Sequence, residues 1–280
     1  MANVLLSEIL KREGRTMKSI LTILQRQYDL IEKELIRYQN NPYDADRTHD
    51  LRVAIRTLRG LFKFLKRDLP PDIFADIDKS LSKAAKIFND LREFDVLIAK
   101  SSEFAYNHPE KRTDYRHFFQ NFRTKRKKVM RKTLTKTVQK KLTTNLTKVK
   151  DQLGILDFDE ETDWNKYIYQ ELKRRKKKLT KFYDDLDFKD YTRVHHIRKK
   201  AKTLRYSATY FMDFAPKKAK KVRKKAKKIQ DVCGNITDAH VNYGLLYDFA
   251  AQSDNQNDKN LLLRIAQAQQ KVYNPDKKED

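Results

Sequence analysis

The sequence predicts an all-helical protein built from two related four-helix halves. Three observations predict it. Glycine and proline are scarce, at 5 and 6 of 280 residues, and Lys, Glu, Leu and Gln are plentiful, which favours long helices over a many-stranded sheet. No stretch alternates apolar and polar residues for long enough to read as a strand. Finally, a helical motif in the first half recurs 146 residues later, about half the chain away.

The prolines punctuate the pattern. Pro42, Pro70, Pro71, Pro109, Pro216 and Pro275 all fall between periodic segments, where a missing N–H costs little. With the acidic breaks at 157–163 and 184–190, they delimit eight expected helices at 3–40, 44–69, 71–107, 111–153, 163–184, 190–214, 216–250 and 257–273. Such lengths suit bundles with short connections. The expectation is one domain over 1–280, with halves at 1–155 and 156–280 related by a pseudo-twofold axis.

Hydrophobic residues make up 39% of the chain, so a real core is affordable, yet the net charge is +25. A charge of that size repels itself in a compact state and usually means an anionic partner. The lone cysteine, Cys233, rules out an internal disulfide framework and suits a reducing compartment, so a cytoplasmic location is expected. Glu8 interrupts the N-terminal apolar stretch before a secretory core develops. No apolar run is long enough to span a bilayer, so membrane insertion is not expected.

In the repeat, His49-Asp-Leu-Arg52-Val-Ala-Ile-Arg56-Thr57-Leu58-Arg59 aligns with His195-His-Ile-Arg198-Lys-Lys-Ala-Lys202-Thr203-Leu204-Arg205. At about 100° per residue from His49, Arg52, Arg56, Arg59 and Lys63 fall between about 280° and 340°. Leu51, Ile55, Leu58, Phe62 and Leu65 fall between about 160° and 240° and form a packing face. The second copy repeats the division, with His195, Arg198, Lys202 and Arg205 beside Ile197, Ala201, Leu204 and Phe211. Each ladder sets about one cation per 5.4 Å turn. Guanidinium presents a rigid fork of donors that matches phosphate oxygens, and a linear ladder matches a linear chain of phosphates.

Further cationic runs lie at 125–128 with Arg131 and Lys132, at 173–178, and at 217–228. Six consecutive cations point all around a helix, so these runs read mainly as field and solubility, steering anions inward. His49 and His195 open the ladders and read first as hydrogen-bonding residues, with metal binding or phosphoryl acceptance as alternatives. Neither a His-x₃-His pair nor a Cys/His cluster completes a tetrahedral metal set. His108 and His117 read as loop and surface residues. A second repeated set, Glu93 and Asp95 with Asp238 and His240, reads as carboxylates that pair with arginines and fix their rotamers, or, less simply, as a catalytic pair.

Enzyme signatures fail. Gly14, Gly60, Gly154, Gly234 and Gly244 are too scattered for a phosphate-binding loop or dinucleotide fingerprint, and no HExxH or nucleophile elbow occurs. His49-Asp50 matches the His-Asp pair of helical phosphohydrolases, but no histidine precedes it to complete that site.

The paired segments THDLRVAIRTLRGLFKFL (48–65) and VHHIRKKAKTLRYSATYF (194–211) resemble the two signature helices of the conserved histidine α-helical domain, CHAD. The segments NDLREFDVLI (89–98) and IQDVCGNITDAHV (229–241) resemble the family's two helix-closing motifs. The usual Arg-Asp-x-Asp-Val stands here as Arg92-Glu93-Phe94-Asp95-Val96, and the usual Leu-Gly-x-x-Asn-Asp as Cys233-Gly234-Asn235-Ile236-Thr237-Asp238. The resemblance implies two antiparallel four-helix bundles around a basic central cavity, binding of inorganic polyphosphate, and association with polyphosphate granules. With enzyme signatures missing, binding without catalysis or cofactor is expected. The resemblance maps His49, Arg52, Arg56, Arg59, His195, Arg198, Lys202 and Arg205 onto the family's basic cavity. Lys63, Lys199 and Arg126 join them on helix position. RNA or DNA is the competing partner and a metal-dependent phosphohydrolase the third reading. Nucleic acid calls for exposed aromatic platforms, whereas Phe62, Phe64 and Phe211 read as packing residues, with Tyr206 a candidate for exposure.

Overall fold

The structure is a computed structural model that describes residues 19–109, 115–158 and 161–274. Among the described residues there are ten α-helices and no strand. They are α1 (Ile20–Asn40), α2 (Ala45–Leu65), α3 (Pro71–Lys86), α4 (Asn89–Asn107), α5 (Tyr115–Thr133), α6 (Lys136–Ile155), α7 (Trp164–Asp184), α8 (Tyr191–Tyr210), α9 (Pro216–Ala251) and α10 (Gln256–Tyr273). The expected helical residues 3–18, and Gly14 and Pro275, lie outside the described residues.

Local chemistry explains the starts. Ser19, Asp44, Asp163, Asp190 and Asn255 cap α1, α2, α7, α8 and α10 by accepting from backbone N–H groups of the first turn. Pro71 and Pro216 open α3 and α9 from the first turn, where proline's fixed φ fits a helix and its missing donor is no loss.

Two expected helices each divide in two. The segment expected at 71–107 breaks at Phe88, whose φ of −100° and ψ of 12° leave the helical region. Phe88 is fully buried, with its ring edge-on to Tyr38 at 5.2 Å. The break frees the Ala85 carbonyl, which accepts from Arg52 Nη1 at 2.8 Å while Asn89 Oδ1 accepts from the same nitrogen at 2.6 Å. Tertiary packing and one arginine, not a proline or glycine, make this corner. The segment expected at 111–153 breaks at Thr135, which is extended (φ −64°, ψ 146°), and Gln139 Nε2 donates to the Thr133 carbonyl left over at 2.7 Å. The helix expected to reach 69 ends at Leu65, followed by a 3₁₀ turn over Lys66–Asp68.

Two apolar clusters hold the helices together, and each draws on both sequence halves. The larger runs from Ile20 to Cys233 and contains the predicted packing faces of α2 and α8. Leu51, Ile55, Leu58, Phe62 and Leu65 are fully buried, and Ile197, Ala201, Leu204 and Phe211 are at most 2% exposed. The smaller packs Leu97, Phe104, Phe118 and Phe122 of α4 and α5 against Leu246, Ala250 and Leu262 of α9 and α10. The 36-residue α9 contributes to both. Truncating a ring such as Phe62 to alanine would cost about 3–5 kcal/mol.

Candidate functional site

α2 and α8, the two copies of the repeat, pack directly on one another. A methyl group added at Gly60 would sit 3.8 Å from Thr203, so these residues mark a close approach. Phe64 of α2 stacks on Phe211 just past α8, with ring centres 5.4 Å apart. The crossing brings the cationic edges of the two helices into mutual electrostatic range.

The couplings are specific. Burial lowers the Arg56 pKa first, and the guanidinium of Arg198 across the crossing lowers it next. Lys202 is pushed down to about 8 by burial, then by Arg56, Arg198 and Arg205, with Asp238 opposing. Burial also lowers His49 and His195. Arg92 and Lys202 add to the effect on His49, and Lys199, Arg198 and Arg56 to that on His195. Burial followed by Arg56 and Arg92 brings Arg52 down to about 10, still protonated at neutral pH. Like charges held this close are costly until an anion joins them.

Not every predicted cation is equally available. Arg59 forms a two-bond fork with Asp78 at 2.6 and 2.9 Å, and Lys63 reaches the same carboxylate at 3.4 Å. Burial opposes ionisation of Asp78, but the Arg59 hydrogen bonds and the Lys63 charge hold its pKa below the ordinary value. Arg52 is partly spent on Ala85 and Asn89. Arg198 pairs with Asp238 at 2.8 Å, and its Nε faces Gly234, where a Cβ would lie 3.5 Å away. By contrast, Arg56, Lys202, Arg205 and Lys199 have no carboxylate partner among the described residues. Lys202 and Arg205 both lean on the half-buried Tyr206 ring, at 5.7 and 4.8 Å.

Arg126 differs from the ladders. It is 8% exposed and donates through Nε to Asp95 at 2.6 Å, while its Nη1 faces the Pro42 carbonyl at 3.4 Å. It is a buried pair rather than a free cation, and burial raises the Asp95 pKa against the pull of Arg126. The expectation that the repeated carboxylates pair with arginines holds for Asp95 and Asp238. His240 instead stacks on Tyr191 at 4.4 Å. His108 stacks on Phe104, and His117 lies half exposed near Asp258.

Sequence reasoning left three important residues off the site. Arg92 lies in electrostatic range of His49 and Arg52 and has no carboxylate partner among the described residues. Its place in the quoted 89–98 segment was the available signal. Asp78 carried none, because it sits on a separate amphipathic helix. Arg175, inside the 173–178 run, donates to the Lys63 and Phe64 carbonyls at 2.7 and 3.0 Å, so it caps the C-terminal end of α2. Glu171 holds both Arg174 and Arg175.

Among the described residues no group of three His, Cys, Asp or Glu side chains could hold a metal ion. Among the same residues no helix is long and apolar enough to cross a membrane.

Comparison with curated proteins finds no match. A solved structure that matches is the CHAD domain from the plant Ricinus communis, with TM-score 0.61 at 19% identity over 92% of this chain and 87% of that one. At that identity the likeness speaks for the fold. The CHAD domain family model matches residues 22–247, a span that contains both ladders and both closing segments. The chain therefore belongs to the CHAD domain family.

Proposed function

We propose that this protein binds inorganic polyphosphate, without catalysis, along the cationic edge that α2 and α8 share, which serves as its binding cleft. One observation carries the reading: cations without carboxylate partners, Arg56 on α2 with Lys202 and Arg205 on α8, converge where the two repeat helices cross. Arg92 and the two ladder histidines extend this set at one end. Such a cluster is preorganised for a chain of negative charge, since the cost of assembling it is already met by the fold. Each guanidinium can fork onto phosphate oxygens, and the repeat along each helix matches a repeating ligand. Counterion release then makes the affinity fall steeply with salt. Association with polyphosphate granules follows as part of the same reading.

The direct test replaces Arg56, Lys202 and Arg205 with Glu and titrates polyphosphate at about 0.1 M salt. Binding is expected to vanish while the helical circular dichroism and Tm persist. Arg52 and Arg198 are left in place because both also hold the structure together. Retained binding by a folded triple variant overturns the reading.

A further inference from the structure

The 173–178 and 217–228 cationic runs are not absorbed by the cleft. Lys200 shows where they face. At about 100° per residue it lies roughly 140–160° around α8 from Arg198, Lys202 and Arg205. The fully packed stripe of Ile197, Ala201 and Leu204 runs between them. Lys200 instead stands over the Phe182 ring of α7 at 4.7 Å, beside Lys178 at 5.5 Å from the same ring. On the neighbouring α9, Lys218 covers Tyr169 at 4.9 Å and Lys225 covers Tyr183 at 5.9 Å. Tyr169 is 45% exposed, and Phe188, which meets the Tyr183 ring edge-on, is 39% exposed.

Tyr169 and Tyr183 lie about 40° apart on the α9 side of α7, whereas Phe182 and Lys178 lie about 140–180° around the helix from Tyr169, on the α8 side. Cations therefore cover rings along both margins of the exposed strip of α7, with Tyr169 and Phe188 the more exposed rings and Phe182 and Tyr183 packed partly against the core. From Tyr169 to Tyr183 the α7 side alone runs about 21 Å at 1.5 Å per residue. The 217–228 segment adds exposed cations such as Lys220, Lys221, Lys224 and Lys228, with no acidic residue among them. Glu171 is buried against Arg174 and Arg175, and the exposed Asp184, Asp185 and Asp187 bring negative charge only to the Tyr183–Phe188 end of the face.

We infer that this outer face is a second binding surface, for single-stranded nucleic acid, on the opposite side of α8 from the polyphosphate cleft. Cations alone would suit any polyanion. The rings decide, since a base has a face to stack on an aromatic side chain and a phosphate chain does not. Stacking adds affinity for each base it seats and tolerates any sequence, while the lysines follow the backbone. The inference goes beyond polyphosphate binding and does not depend on it. If both hold, one molecule can carry a polyphosphate chain and a nucleic acid strand together.

The test follows the anisotropy of a fluorescein-labelled single-stranded RNA 20-mer at about 0.1 M salt, with and without saturating long-chain polyphosphate. Three variants are compared: an outer one (Lys178→Glu, Lys218→Glu, Lys225→Glu), a cleft one (Arg56→Glu, Lys202→Glu) and Tyr169→Ala. RNA affinity is expected to stay within about threefold in the cleft variant and under polyphosphate, to drop more than tenfold in the outer variant, and to drop about fivefold in Tyr169→Ala. A matching outer variant with Gln for Glu, checked by circular dichroism, separates lost binding from lost folding. Displacement of RNA by polyphosphate, loss of RNA in the cleft variant, or full RNA binding by the folded outer variants overturns the inference. Unchanged affinity in Tyr169→Ala also overturns it, by reducing the face to a general polyanion surface. If polyphosphate itself fails to bind, the variant comparison still decides the outer face.

Discussion

The two ladder helices carry the same motif but spend their cations differently. On α2, Arg59 and Lys63 share Asp78 and Arg52 braces the α3–α4 corner, leaving Arg56 without a carboxylate among the described residues. On α8, Arg198 pairs with Asp238, while Lys202 and Arg205 have no carboxylate among the described residues. A repeat therefore preserves a stripe of charge without preserving what each charge does. The neighbouring helices divide the cations into those that build the fold and those left to a ligand.

The largest effect expected from breaking this division is on stability. Asp95→Ala leaves Arg126 buried without its partner and should cost about 3–5 kcal/mol in denaturant unfolding. Asp78→Ala removes a partly exposed carboxylate and should cost about 1 kcal/mol or less. It would also release Arg59 and Lys63, making α2 more like α8, so polyphosphate should bind several-fold tighter by calorimetry. If Asp78→Ala weakens binding, the paired cations were not held in reserve.

Proton linkage sharpens the same contrast. Lys202 in the free protein lies at about 8, below the ordinary lysine value, and a bound polyanion should push it back up. A group with a higher pKa in the complex strengthens binding fully below its free value and loses that contribution as pH rises toward its bound value. Affinity should therefore hold from pH 7 to near 8 and then fall by up to about tenfold per unit toward 10. His49 and His195, held low in the free protein, should add affinity only on the acid side of their ordinary value. A flat profile between pH 7.5 and 9.5 would remove Lys202 from the contact. The smallest effect is on the free protein. Lys202→Met relieves the repulsion and should raise Tm by a few degrees, at roughly 2–4 °C per kcal/mol for a chain of this size.

Much of this was legible in the sequence, and the rest was hidden for identifiable reasons. The buried stripes of α2 and α8 follow from spacing alone. The corner at Phe88 was not legible, because it is made by Tyr38 and Arg52 from distant segments rather than by a local helix breaker. The ladders were visible as charge, but their partners were not. Asp78 lies 19 residues from Arg59 on another helix, and only the packing of α2 on α3 joins them. Helix position puts Arg126 with the ligand-binding cations but does not reveal Asp95, 31 residues away, with which it forms a buried pair.

The central claim is that unpartnered cations, not net charge, hold the polyanion. Two double variants that remove equal charge decide it in one calorimetric titration with long-chain polyphosphate at about 0.1 M salt. Arg56→Ala with Lys202→Ala should weaken binding by roughly 100-fold, about 1.4 kcal/mol for each tenfold. Arg59→Ala with Lys63→Ala should stay within several-fold of the unaltered protein. Equal losses in the two variants would contradict the account and leave only the overall charge as the cause of binding.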